Sequence, residues 1–149
     1  MSWLSLSLLW YIKLFLLGIA TLPATFTLFK KIFPDRGYAF AKPLGLILLT
    51  YTMYVLGTLK ILPFTFSSLV LISLVLIGLQ WILLRNIADI QKTFKKAWRL
   101  ILFSELLSFA GFMFWSFVRA QEPTIRGLEK YMDYGFMNAT VRSMYFPTH

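Results

Sequence analysis

Arg126, Glu129, Lys130 and Asp133 share one face if the segment that contains them is wound at 3.6 residues per turn. Ile125, Leu128, Met132 and Phe136 form a separate apolar stripe on the same helix. Glu129 and Asp133 are one turn apart, a spacing that suits two carboxylates sharing a divalent metal or dividing acid and base roles. The same pattern also describes an amphipathic helix that rests on a membrane and does no chemistry. Pro123 suits a first helical turn, and Glu122 with Arg126 is an ordinary i,i+4 pair. The periodicity predicts a helix over about 123–138, directly after an apolar run.

The composition explains why a membrane enters the argument. Of the 149 residues, 58% are hydrophobic and 14% charged, and the mean hydropathy is +0.71. Soluble domains are about 45–50% apolar and about 25% charged. There is no cysteine, which excludes disulfides and thiolate metal sites. The single histidine is His149, so the chain alone builds neither a His-based metal site nor a Ser-His-Asp triad. A net charge of +9 would suggest nucleic acid in a soluble protein. Here the cations lie between hydrophobic runs, which points to membrane topology and away from nucleic acid.

Four runs are long enough to cross a bilayer core, which takes about 20 apolar residues. They lie at about 8–29, 43–59, 64–84 and 100–118. The third is the clearest, with no charge and only Gln80 strongly polar. The second is short, and Lys42 and Lys60 can snorkel at its ends. A signal peptide would place basic residues ahead of a short apolar core, but none precedes Lys13 and the apolar run resumes after it. The predicted fold is therefore all-α: a four-helix transmembrane region over 1–118, then the start of an external loop over 119–149 carrying the amphipathic juxtamembrane helix.

The loops set the orientation. Lys30, Lys31, Arg36 and Lys42 lie between spans one and two, and Arg85, Lys92, Lys95, Lys96 and Arg99 between three and four. The second connection holds only Lys60. Cation bias places the two rich loops in the cytoplasm and both termini outside a plasma-membrane, multi-pass protein. The tail cations Arg119, Arg126, Lys130 and Arg142 pull the other way. Pro34-Asp-Arg-Gly37 reads as a cytoplasmic turn and Ile61-Leu-Pro63 as a short external hairpin.

Glu105 interrupts span four. An acid at membrane depth suggests function by default, and otherwise a carboxyl that reaches water from near the span's end. Arg99 is about 9 Å of helix rise away. Lys13 matches Glu105 in charge, but it is expected nearer the outer end of its own span. Trp98 and Trp115 fit interfacial aromatic belts.

Phe114-Trp-Ser-Phe-Val-Arg-Ala-Gln-Glu-Pro123, Gly127-Leu-Glu-Lys-Tyr-Met-Asp-Tyr-Gly-Phe-Met-Asn138 and Arg142-Ser-Met-Tyr-Phe-Pro147 resemble the prokaryotic "YYY" multispanning membrane proteins. That family is largely uncharacterised and looks related to GT-C-type glycosyltransferases, which use polyprenyl-phosphate-linked sugars. The family pattern is a Trp-x-Phe-x-Arg stretch, then Glu-Lys-x-Met-Asp, then a Phe-Pro approach to a tyrosine-rich segment. Glu129, Lys130, Met132 and Asp133 match its centre, while the tyrosine run is absent from this sequence. The resemblance implies the N-terminal part of a longer protein, whose remainder would follow His149. It also implies an acid in the first external loop that serves catalysis or metal and acceptor positioning. Asp133 or Glu129 would take that role, and Arg119, Arg126 or Lys130 would hold the phosphate of the lipid-linked donor. Two other classes compete: a non-catalytic membrane scaffold or assembly subunit with an interfacial helix, and a small transporter component suggested by Glu105.

Overall fold

A computed structural model describes residues 2–83, 87–121 and 128–145. For residues 83, 87–89 and 128–130 it describes the backbone alone. All regular elements in it are helical. They are α1 (Trp3–Leu28), a 3-10 turn (Tyr38–Phe40), α2 (Ala41–Thr58), α3 (Phe66–Leu83), α4 (Ile87–Gln121) and α5 (Leu128–Arg142). Three are long and apolar enough to cross a membrane, and α3 is a shorter apolar helix. The chain divides into two compact units, 1–46 with 77–122 and 47–76 with 123–149.

In the first unit α1 and α4 run antiparallel, as three aromatic contacts along their length show. Phe26 meets Phe94 at 6.2 Å, Tyr11 meets Phe109 at 4.9 Å and Trp3 meets Phe117 at 5.7 Å between ring centroids. α1 and the start of α2 are also antiparallel. The Thr21 hydroxyl donates to the Ala41 carbonyl at 2.6 Å, and a Cβ on Gly45 would come within 2.8 Å of Leu17 and 3.0 Å of Thr21. Small residues and hydroxyls at the crossing are what membrane helices use, because hydrocarbon supplies no hydrophobic drive between them. Leu22, Phe26, Ala41 and Ile90 form the buried cluster, with Tyr38, Trp81 and Phe94 packed against it.

Element boundaries differ from expectation in three places. α1 begins at Trp3 rather than Leu8, where the Ser2 hydroxyl accepts from the Ser5 amide and caps the first turn. α4 begins at Ile87, well before the apolar run at Leu100. Over 90–96 it is amphipathic: Ile90 and Thr93 are buried and Phe94 half-buried, while Lys92, Lys95 and Lys96 are exposed. Ala97, at φ −111° and ψ 18°, leaves helical geometry and separates this cationic arm from the apolar stretch. α5 is helical through Arg142, four residues beyond Asn138, and the expected start at 123–127 lies outside the described residues.

Between α1 and α2 the chain turns through Pro34-Asp-Arg-Gly37. Asp35 is buried, and its carboxylate accepts from the Gly37 amide at 3.2 Å. Arg36 (φ 53°) and Gly37 (φ 77°) are both left-handed. A Cβ at Gly37 would sit 2.6 Å from the Phe29 ring, which stacks on Phe40 at 5.2 Å. Gly37→Ala therefore combines an unfavourable backbone region with a steric clash, and should cost about 1–3 kcal/mol. Gly78→Ala, where nothing lies within 4 Å, should be neutral or slightly stabilising. Thermal unfolding of both proteins in one detergent checks the contrast.

Candidate functional site

Glu105 lies on the face of α4 that meets α1, and its carboxylate receives three donors from three segments. The Tyr11 hydroxyl of α1 donates to Oε1 at 2.5 Å. The Tyr38 hydroxyl, from the 3-10 turn, donates to Oε2 at 3.1 Å. Lys42 Nζ, in the first turn of α2, pairs with the same oxygen at 2.5 Å. The pair is largely buried, with side-chain exposures of 15% for Lys42 and 20% for Glu105. The ammonium also lies 5.4 Å from the Tyr11 ring centre and 6.0 Å from that of Tyr38, within reach of both aromatic faces.

Helix geometry explains how these groups meet. Lys42 reaches the carboxylate by passing Gly18 of α1, where a Cβ would come within 2.9 Å of the lysine Cγ. The absence of a side chain at Gly18 therefore makes the lysine's path. Tyr11 is wedged by Phe109, edge-on at 4.9 Å, and by Phe112 at 5.6 Å, while Tyr38 packs edge-on against Phe94 at 5.9 Å. An apolar groove of about 320 Å³, lined by Tyr11, Ile12, Phe15, Glu105, Leu106 and Phe109, runs beside the pair.

The expected reason for excluding Lys13 does not hold. Tyr11, two residues earlier, is on Glu105, so this part of α1 is at the right depth. What excludes Lys13 is its face, since two residues turn a helix by about 200°. Lys13 is exposed and lies 4.4 Å over the Trp10 ring.

The residues singled out in the tail are distributed differently. Asp133 is exposed on α5. Glu129 and Lys130 belong to the first turn of the same helix, so both carboxylates share one element, a turn apart. Arg119 is exposed in the last turn of α4, in the first unit. Arg126 lies outside the described residues. Among the described residues no group of three His, Cys, Asp or Glu side chains is placed to hold a metal ion.

In the second unit, α5 is tied to the connection between α2 and α3. The Phe64 amide donates to the Met144 carbonyl at 2.6 Å. Thr140 closes a cavity of about 370 Å³ with Leu49, Met53, Tyr54, Phe64 and Leu69 among its walls. Met132, Phe136 and Met137 remain well exposed, so the unit does not bury the apolar side of α5.

Residues 48–149 match the family described as uncharacterized membrane protein (DUF2298). The chain belongs to this family. The match bears out the membrane reading of the composition. It begins inside α2 and takes in Glu105 and α5, whereas Tyr11, Tyr38 and Lys42 precede it. No curated protein and no solved structure matches the chain.

Lys42→Met leaves an unpaired carboxylate within the α1–α4 contact and should destabilise the protein by about 3–5 kcal/mol. Lys42→Met with Glu105→Gln removes both charges and should recover most of that loss. Unfolding midpoints of the two single variants and the double variant check the coupling. Equal destabilisation by Lys42→Met and by the double variant would show that the ion pair does not hold the helices.

Proposed function

We propose that this DUF2298 chain is the N-terminal part of a GT-C-like membrane glycosyltransferase that uses a polyprenyl-phosphate-linked sugar, with α5 contributing to its external face. The observation that carries the reading is α5 itself. An exposed Asp133 stands one turn from Glu129, on a helix placed after a membrane-long helix, in the segment that resembles the "YYY" proteins.

The packing of the first unit supports four crossings. α1 and α2 are antiparallel, and so are α1 and α4, which makes α2 and α4 parallel. A chain that leaves α2 and enters α4 in the same direction has to return across the bilayer between them, and α3 is the apolar helix available. Its 18 residues span about 27 Å, close to the hydrocarbon thickness of about 30 Å. The tie between Phe64 and Met144 keeps the end of α5 at the α2–α3 connection, which has one cation and is the outer side by cation bias. The apolar side of α5 would then rest on the outer leaflet. Because the chain lacks cysteine, Asp89→Cys supplies a unique thiol. It should resist an impermeant reagent added outside intact cells and react after permeabilisation. Reaction without permeabilisation would invert the topology.

In the transfer, a carboxylate of α5 accepts the proton of the acceptor hydroxyl as its oxygen attacks the sugar's anomeric carbon. The polyprenyl phosphate leaves, its developing charge held by cations. Asp133 is the proposed base and Glu129 its partner, with Arg119, Arg126 and Lys130 on the phosphate; where the reaction uses a divalent metal, Asp133 and Glu129 would be the residues to hold it, and it would supply positive charge to the leaving phosphate. Asp133→Asn in the natural full-length protein should lower release of polyprenyl phosphate from a polyprenyl-phosphate-linked hexose by about 10²–10⁴-fold, with membrane insertion unchanged. Glu129→Gln should be impaired less. Normal turnover by both variants would leave α5 as a membrane-resting helix, in keeping with a scaffold role.

A further inference from the structure

Two cation-rich segments far apart in sequence meet at one end of the first unit. The turn after α1 brings Lys30, Phe33, Pro34 and Arg36 against the arm of α4. Together with Lys92, Thr93 and Lys96 they line a pocket of about 230 Å³. A second recess of about 520 Å³ opens at the break in α4. Pro34, Lys96, Ala97, Trp98, Arg99 and Leu100 line it, so Lys96 and Pro34 border both. Among the described residues the cations around the two recesses are Lys30, Arg36, Lys92, Lys96 and Arg99, and no carboxylate lines either one. The nearby Asp35 accepts from the Gly37 amide.

Cation bias accounts for the number of positive charges at this end of a membrane protein, but it does not require them to surround a recess. The shape comes from two backbone departures, the left-handed pair Arg36-Gly37 and the non-helical Ala97. The first lies in the turn that lines one recess, and the second lies at the other, between Lys96 and Trp98. Exposed apolar side chains share the lining: Phe33 in the first recess, Trp98 and Leu100 in the second. Trp98 carries the Arg99 guanidinium 5.5 Å from its ring. Exposed aromatics beside a cluster of cations match the depth of lipid phosphates, where an aromatic side chain has both hydrocarbon and headgroup to touch.

We propose that this pocket binds the phosphate of an anionic membrane lipid, with Lys92 and Lys96 as its principal contacts and Arg99 closing over the headgroup from the Trp98 face. The site lies within the first unit and uses none of the residues of the proposed transfer chemistry. A basic pocket between helices at the headgroup level is a known solution for holding anionic lipids. Here it would fix the turn after α1 and the arm of α4 to the same lipid.

The experiment titrates phosphatidylglycerol or phosphatidylcholine of identical acyl chains into the purified protein in a neutral detergent. Native mass spectrometry reads bound lipid. The wild type should retain phosphatidylglycerol in preference to phosphatidylcholine. Each of Lys92→Gln and Lys96→Gln should weaken phosphatidylglycerol binding about fivefold, as expected for one cation near a lipid phosphate. Lys95→Gln removes the same charge from the same arm but from outside both recesses, and should leave binding within twofold of wild type. Equal retention of the two lipids overturns the proposal, as does an equal loss from Lys95→Gln and Lys96→Gln, which would reduce the effect to overall charge. A final arm adds inorganic phosphate or pyrophosphate to the lipid-loaded protein. Persistence of the lipid at millimolar anion supports a lipid site, and its complete displacement would reassign the pocket to a water-soluble phosphate.

Discussion

A carboxylate on a helix that is otherwise compatible with hydrocarbon has few stable solutions. It reaches water, loses its charge, or is given a cation and enough donors to replace its hydration. Glu105 takes the third course. Its donors come from α1, the 3-10 turn and the first turn of α2, so meeting the needs of one side chain fixes three segments against α4. Replacing any donor leaves lone pairs unmet in a poorly hydrated contact, so the cluster resists sliding of the helices more than apolar packing alone would. Apolar contacts are non-directional and tolerate small shifts, whereas a hydrogen bond weakens steeply as its donor angle departs from linear. Gly18, Gly45 and Thr21 belong to the same constraint, because only a close crossing of α1 and α2 brings Lys42 within reach.

The helices were legible in the sequence because uninterrupted apolar runs leave the backbone few alternatives to internal hydrogen bonding. Their ends were less so. The run-based reading placed the start of the fourth element at Leu100, since hydropathy falls off at Arg99. The helix continues because Ile90, Thr93 and Phe94 recur at helical spacing and pack on α1 and the turn. In a chain this apolar, a short amphipathic arm is easily taken for a loop. The partner of Glu105 was missed for a similar reason. Lys42 sits at the margin of its apolar run and so reads as a snorkelling residue, yet the run it begins has its first turn beside Glu105. Matching the two by depth would have found it. Tyr11 and Tyr38 carried no such signal, because tyrosines in membrane proteins are mostly interfacial and nothing in their spacing marks these two.

The tail shows the limit of periodicity. A helix was expected and α5 is one, but the pattern does not say what its apolar side covers. Met132 and Phe136 of that side are exposed, while Asn138, Ala139 and Thr140 are half-buried and Thr140 lines the cavity at the α2–α3 connection. The segment just after the helix is tied at Met144 to Phe64, and Met132, Phe136 and Met137 stay exposed.

The two acids discussed above are therefore not interchangeable candidates for chemistry. Glu105 already accepts from two hydroxyls and an ammonium, and the groove beside it is apolar, so an incoming acceptor hydroxyl would have to displace an existing donor before it could be activated. Asp133 is exposed on a helix that keeps one face bare, with Gly135 two residues on leaving open space beside the backbone. A carboxylate that does general-base work needs an unoccupied lone pair directed at space a substrate can enter. Glu105 lacks that and serves as the fixed point of the bundle. Asp133 is exposed to such space, and the proposed transfer chemistry therefore calls on α5 and not on the buried ion pair.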